Sequence, residues 1–306
     1  MGPRGYSEYF KNRDGLWICS YYWPVADARG VVLLSHGHGS YSDFEWLTAA
    51  AEHGAPYAYA GSWVEKLNGA GYSVVAADYQ SCGRSEGKKG LRSYIEAVDD
   101  VVTDQLQCLA RAGDKDGYRG RPVFTMGLSM GGLVALLTAH RGGARVGGCC
   151  LMAPMLSLDK VSQQGMNRVL LPVGSLIALL APGLPVAETP VNTMYPEVQA
   201  HWDADPLTYT GKTRAVNAMQ YLRTCGEVVR ETAREVATPF LTFHSERDTY
   251  VDPDSSKLLY AKARSSDKTL RLVNHMWHIL TKEPGSDDIL GEITAWLHAR
   301  TRVESG

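Results

Sequence analysis

The chain carries little surplus of either charge. Its 31 Lys+Arg stand against 33 Asp+Glu across 306 residues, a net charge of −2. Phosphate backbones are bound by a basic face, so this balance argues against nucleic acid as the main partner. Six cysteines lie at positions 19, 82, 108, 149, 150 and 225, with no Cys-x-x-Cys pair. That excludes a zinc ribbon and suggests no disulfide framework. Small buried thiols in a reduced, cytoplasmic protein are the expectation. No apolar segment of a signal peptide follows Met1. The longest apolar run, 169–184, is broken by Pro172, Gly174, Pro182 and Gly183, and it falls short of the ~20 residues a bilayer span needs. Internal repeats, charge blocks and low-complexity tracts are absent. What is left, 44% hydrophobic and 21% charged, is globular and long enough to bury a sizeable core.

Short apolar runs alternate with helical patterns. Strands are expected at 17–23, 31–34, 74–77, 122–126, 149–152, 240–243 and 269–273. Their apolar runs are mostly continuous, as in strands covered on both faces. Helices are expected at 62–68, 94–111, 131–140, 255–263 and 287–300. In the second, Ile95, Val98, Val102, Leu106 and Leu109 recur at helical spacing. This order implies an α/β fold, a mostly parallel central sheet with helices on both faces. One stretch departs from it. Residues 155–226 separate two strands by far more than one helix requires, and they carry Pro172, Pro182, Pro185, Pro190 and Pro196. Such a segment is expected to be an inserted helical cap, with 1–154 and 227–306 forming the core.

Gly127-Leu128-Ser129-Met130-Gly131 is a G-x-S-x-G that follows a strand and opens a helix. That placement is a nucleophile elbow, a tight turn that lifts a serine hydroxyl above the sheet edge. A serine hydroxyl needs a base to take its proton. Elbow enzymes supply the acid and the base later in the chain. Asp248 and His278 each follow a strand and sit on the same sheet edge as Ser129. Asp252 and His275 lie close enough to compete for the same roles by order alone.

A tetrahedral intermediate also needs N–H donors. The residue after the nucleophile, Met130, supplies one. The loop His36-Gly37-His38-Gly39-Ser40 supplies the other. As a dinucleotide fingerprint this loop lacks the third glycine, because Ser42 stands there. As a metal site, His36-x-His38 has no recognisable third ligand. His38 to Asp43 also fits H-x4-D, a pattern of some acyltransferases.

At these residues the sequence resembles the monoacylglycerol lipase and lysophospholipase group of the α/β-hydrolases, often labelled serine-aminopeptidase-like. The segments that carry the likeness are Ser35–Gly39, Gly61–Val64, Asp78–Gly87, Gly127–Gly131, Asp205–Leu207, His244–Pro253 and Met276–His278. The resemblance implies an α/β-hydrolase fold with Ser129 as nucleophile, Asp248 as acid and His278 as base. It implies the His38 and Met130 N–H groups as oxyanion hole. Ser245 and His275 stand where the group usually has glycine. The reaction implied is hydrolysis of a carboxylic ester through an acyl-enzyme, which requires neither metal nor organic cofactor. The substrate implied is a single-chain lipid ester, a monoacylglycerol or a lysophospholipid. A carboxylesterase, thioesterase or acyltransferase on the same fold, or a non-catalytic ligand receptor, are the alternatives. In the cap, Val169, Leu170, Val173, Leu176, Ile177 and Leu180 recur at helical spacing with little polarity opposite. Such a helix packs inside the protein or meets lipid. Leu176, Ile177 and Leu180 are expected to bind the acyl chain, and the cap to touch a membrane peripherally.

Overall fold

The computed structural model describes residues 5–49, 56–158 and 165–301. The first six strands are β1 (Tyr6–Lys11), β2 (Trp17–Trp23), β3 (Gly30–Ser35), β4 (Tyr72–Ala77), β5 (Val123–Leu128) and β6 (Val146–Met152). After β6 the chain leaves the sheet. The excursion carries a helix α5 (Gly165–Leu180), a strand β7 (Pro185–Ala187), a helix α6 (Pro196–Ala204), a strand β8 (Thr213–Arg214) and a helix α7 (Ala215–Glu227). The chain returns as β9 (Phe240–Ser245) and β10 (Lys268–Val273).

Eight strands form one sheet in the order β1-β2-β4-β3-β5-β6-β9-β10, and β7 pairs only with β8. From β4 to β10 all neighbours run parallel, while β2 is antiparallel to both β1 and β4. This is the α/β-hydrolase fold. The parallel order follows from sequence: β3, β4 and β9 are wholly buried, and β3 and β4 are largely apolar, as strands covered on both faces must be. The outer strand β1 was not expected, because its residues are largely exposed and polar.

Helices of the core are α1 (Ser42–Trp46), α2 (Trp63–Gly69), α3 (Val98–Ala112), α4 (Met130–Gly142), α8 (Asp254–Lys262) and α9 (Ser286–Arg300). The Ser62 hydroxyl accepts the Glu65 N–H at 3.1 Å and caps α2. Helix α3 starts at Val98 rather than at the expected Tyr94. Ala97 is extended, and the Ile95 N–H donates to Asn217 Oδ1 of α7 at 3.3 Å. The residues before α3 are therefore committed to the insertion instead of to a helical turn.

The expected cap boundary at 226/227 falls inside a continuous helix. Helix α7 runs on through a π turn at Val228–Thr232 to Glu235. Asn217, Tyr221 and Cys225 recur every four residues and form its buried stripe. The Cys225 thiol reaches the Met155 carbonyl at 3.3 Å. All six cysteines are buried, and none is joined in a disulfide.

Candidate active site

Strand β5 is central, with Ser35 opposite Gly127 on one side and Leu151 on the other. Ser129 follows it at φ 57°, ψ −120°, and α4 begins at the next residue. A non-glycine residue held there costs on the order of 1–3 kcal/mol, and the surrounding structure must enforce it. The enforcement is visible. The Ser129 N–H donates to the Met152 carbonyl at 2.9 Å, and the Ser129 carbonyl accepts the Met155 N–H at 2.9 Å. The flanking glycines permit close packing. A Cβ on Gly127 would lie 2.1 Å from the Gly131 carbonyl oxygen, and one on Gly131 would lie 2.1 Å from that of Ser35. No side chain fits either gap, so the helix can press its N-terminus against β3.

Asp248 and His278 lie on the loops after β9 and β10, and the fold brings them together. His278 Nδ1 donates to Asp248 Oδ2 at 2.7 Å. The other oxygen, Oδ1, accepts the N–H groups of Tyr250 and Val251 at 2.7 and 2.9 Å. His244 Nε2 stands 3.3 Å from Oδ2. Burial alone would raise the Asp248 carboxyl, but His278 and His244 outweigh it and lower it to about 2. The carboxylate therefore stays charged and fixes the ring. His278 Nε2 is buried with no hydrogen-bond partner among the described residues. It belongs to a cavity that Ser129 also lines. The Tyr250 ring packs edge-on against His278, with centroids 4.6 Å apart.

The competing residues are placed elsewhere. Asp252 Oδ1 accepts the Asp254 N–H at 3.0 Å, and its carbonyl accepts the Ser255 N–H and hydroxyl, so it shapes the start of α8. His275 is exposed, and its carbonyl accepts the Tyr195 hydroxyl. The serine that replaces the usual glycine has a use. The Ser245 hydroxyl donates to the Met276 carbonyl and accepts the Arg247 N–H, joining the two loops that carry Asp248 and His278.

The loop after β3 lies beside the nucleophile, since a Cβ on Gly37 would stand 3.8 Å from the Ser129 Cβ. His36 uses both ring nitrogens inside the fold. Its Nδ1 donates to the Gly37 carbonyl at 2.9 Å, and its Nε2 accepts the Tyr79 N–H at 3.1 Å. Burial lowers His36 to about 4, which keeps the ring neutral. His38 Nδ1 bonds the Tyr221 hydroxyl at 2.8 Å, and that hydroxyl accepts from Asn217 at 3.1 Å. The Ser93 hydroxyl also stands 3.4 Å from His38 Nδ1, and His38 Nε2 lies 3.4 Å from the Thr213 hydroxyl. Burial, with His36 and Arg214 nearby, lowers His38 to about 4 as well. Asp43, the other end of the H-x4-D pattern, pairs with Arg84 at 2.5 Å.

Ser129, His38, Pro190 and Tyr250 border two cavities at once. One, of about 130 Å³, is walled by Met155, Leu158, Ile177, Met219, Leu222 and Val251. The other, of about 170 Å³, is walled by Phe44, Glu45, Asn192, Gln199, Trp202, Trp277 and His278. Of the cap residues expected to hold an acyl chain, Ile177 lines the apolar cavity. Leu176 and Leu180 do not, standing 57% and 74% exposed on the outside of α5. The side chains of Val169 and Leu170 lie outside the described residues. Sequence reasoning also missed two buried carboxylates beside the site, Glu45 and Glu283. Glu45 accepts the Thr281 hydroxyl at 2.7 Å and the Gly37 N–H at 3.5 Å.

The pattern of the serine aminopeptidase S33 family matches residues 26–285. The chain belongs to this family. It is a monoglyceride-lipase-like α/β-hydrolase and a carboxylic-ester hydrolase. The caffeoylshikimate esterase of Arabidopsis thaliana is 30% identical over 99% of this chain and 88% of its own. The monoacylglycerol lipase of Mycolicibacterium smegmatis is 29% identical over 94% of this chain and 95% of its own. Among solved structures, a soluble variant of the Saccharomyces cerevisiae monoglyceride lipase with a substrate analog superposes with a TM-score of 0.77. It is 19% identical and covers 99% of this chain and 97% of its own.

Proposed function

We propose that the protein hydrolyses the ester of a neutral single-chain glycerolipid, a monoacylglycerol. The observation that carries this reading is the position of Ser129 between an apolar cavity and a second one whose aromatic and aliphatic wall also carries Ser40, Glu45, Asn192, Gln199 and Asp203. The acyl chain lies in the first, under the inserted cap of residues 155–226, and the alcohol in the second. Ser129 attacks the ester carbonyl. His278 Nε2 takes the hydroxyl proton and returns it to the departing alcohol, and Asp248 holds the ring in the Nδ1–H tautomer. The N–H groups of His38 and Met130 receive the oxyanion, the latter from the first turn of α4, where helical N–H groups have no intrahelical partner.

The alcohol cavity argues for an uncharged headgroup. Glu45 and Asp203 line it and, among the described residues, no lysine or arginine does, so a phosphate would meet like charge. The outer face of the cap suits a lipid surface: Val173, Leu176, Leu179, Leu180 and Leu184 are all exposed there. No described helix is long and apolar enough to cross a membrane, so this contact would be peripheral. The test is a hydrolysis panel of monoacylglycerols graded from butyryl to oleoyl, with lysophospholipids of matched chains. Preference for long-chain glycerides supports the reading, and preference for the phospholipid contradicts it.

A second reading has one observation in its favour. His38 and Thr213 give the apolar cavity a polar corner, which would bond the phenol of a hydroxycinnamoyl acyl group. The relative that acts on caffeoylshikimate agrees with it. A caffeoyl ester added to the same panel decides between the two.

A further inference from the structure

The loop that carries His278 is held from inside by a single carboxylate. Glu283 is buried. Its Oε2 accepts the Trp277 N–H at 2.6 Å, and its Oε1 accepts those of His278 and Ile279 at 3.1 and 2.8 Å. Three consecutive backbone N–H groups thus converge on one anion. Hydrogen bonds to an ionised acceptor are about twice as strong as neutral ones, so this clamp is stiff.

A fourth donor comes from the insertion. Asn192 Nδ2 reaches Glu283 Oε1 at 3.1 Å, and Asn192 is itself buried in the wall of the alcohol cavity. Its own N–H donates to Gln199 Oε1 at 2.9 Å, and its Oδ1 accepts the Tyr195 N–H at 2.9 Å. The side chain is therefore locked to the wall. Tyr195 adds a second link, donating its hydroxyl to the His275 carbonyl. The wall that would meet the leaving group and the backbone of the base share one oxygen atom.

We propose that Glu283 is a positioning residue that couples the cap wall at Asn192 to the backbone of His278. The proposal rests on His278 being the base. Without the Asn192 amide, Oε1 keeps only the His278 and Ile279 N–H groups and recentres on them, which moves the ring relative to Ser129. Misplacement of a reacting group by about 1 Å costs ~10²-fold, and a fraction of that shift costs roughly tenfold.

Phenylmethylsulfonyl fluoride tests this, because its fluoride leaves the alcohol cavity empty while its attack still needs Ser129 and His278. In Asn192→Ala the second-order rate of sulfonylation is expected to fall roughly tenfold at unchanged melting temperature. Glu283→Gln should fall further. The double variant should be no slower than Glu283→Gln alone, since both act through one contact. If Asn192→Ala reacts at the wild-type rate and only KM for monobutyrin rises, Asn192 merely touches the leaving group and the proposal is overturned. Should Glu283→Gln fail to fold, the Asn192 variant decides by itself. Absence of sulfonylation at Ser129 in the wild type would remove the nucleophile assignment instead, an outcome distinct from loss of the coupling.

Discussion

The sheet edge and the cap face each other across Ser129, and they are built by opposite means. At the sheet edge, position is imposed by backbone: Ser129 is held at positive φ by two main-chain hydrogen bonds, and Gly127 and Gly131 leave no room for a side chain. In the cap, position is imposed largely by side chains, through Asn192, Asp205 and Tyr221, beside one main-chain bond from the Tyr209 N–H to the Gly39 carbonyl at 2.8 Å. Asp205 alone accepts the hydroxyls of Tyr41 and Tyr57 from the core at 2.9 and 2.6 Å. Backbone geometry tolerates few substitutions and leaves a short, readable motif. Side-chain docking can be rebuilt in many ways and leaves little trace. On the proposed reading the chemistry lies at the edge, and the cap supplies much of the wall that meets the substrate.

The sharpest way to break this division is at the edge. Ser129→Ala should abolish both ester hydrolysis and labelling by a fluorophosphonate activity probe. Asp248→Asn should lower kcat by roughly 10⁴-fold, the scale seen when a triad aspartate no longer fixes its histidine. Asp252→Asn and His275→Ala should retain activity within a few-fold, because Asp252 Oδ1 shapes the start of α8 and His275 is exposed. A dead His275 variant beside an active His278 variant would reverse the assignment.

A smaller effect separates the edge by its stability. His36 sits under the loop after β3 as a neutral ring, lowered from 6.5 to about 4 by burial. Between those values the unfolded chain binds a proton that the folded chain refuses. The contribution is whole above pH 6.5 and is lost as pH falls to about 4, amounting to about 3 kcal/mol. Urea denaturation at pH 7 and pH 4.5 should show the fall, and His36→Gln should reduce it by about half, since His38 is lowered equally and contributes the same loss. An equal slope in the variant would assign the acid sensitivity to other groups.

The smallest predicted effect is in the cap. Leu179→Asp or Leu180→Asp should lower hydrolysis of monooleoylglycerol in vesicles by roughly tenfold, the worth of one leucine at a lipid surface. The same variants should hydrolyse soluble monobutyrin normally. Ile177→Asp, which charges the apolar cavity, should impair both. If all three behave alike at unchanged melting temperature, the inner and outer faces of α5 have no separate roles.

The same contrast explains what could be read from sequence. Ser129 was legible because strand, turn and helix must follow one another there, and the order Ser, Asp, His placed its partners within four residues. Choosing Asp248 over Asp252, and His278 over His275, took a resemblance, since only the folded loops show which side chains meet. Strand β1 escaped notice because an exposed edge strand has no continuous apolar run. Leu176 and Leu180 were assigned to the acyl chain because a helix with no polar face does not reveal which side turns inward. Glu283 left no signal at all. Its partners are backbone N–H groups and one asparagine 91 residues away, and neither has a pattern to search for.

The central claim is that Ser129 cleaves a neutral glyceride held between the two cavities. Its most direct test pairs 1-monooleoylglycerol with oleoyl lysophosphatidylglycerol in the same mixed micelles, assayed with wild type and Ser129→Ala. The two substrates share the acyl chain and differ by a phosphate that would meet Glu45 and Asp203. The kcat/KM for the glyceride is expected to exceed that for the phospholipid by more than about tenfold, with both activities lost in Ser129→Ala. Equal or faster hydrolysis of the phospholipid, or activity that survives in the Ser129 variant, would contradict it.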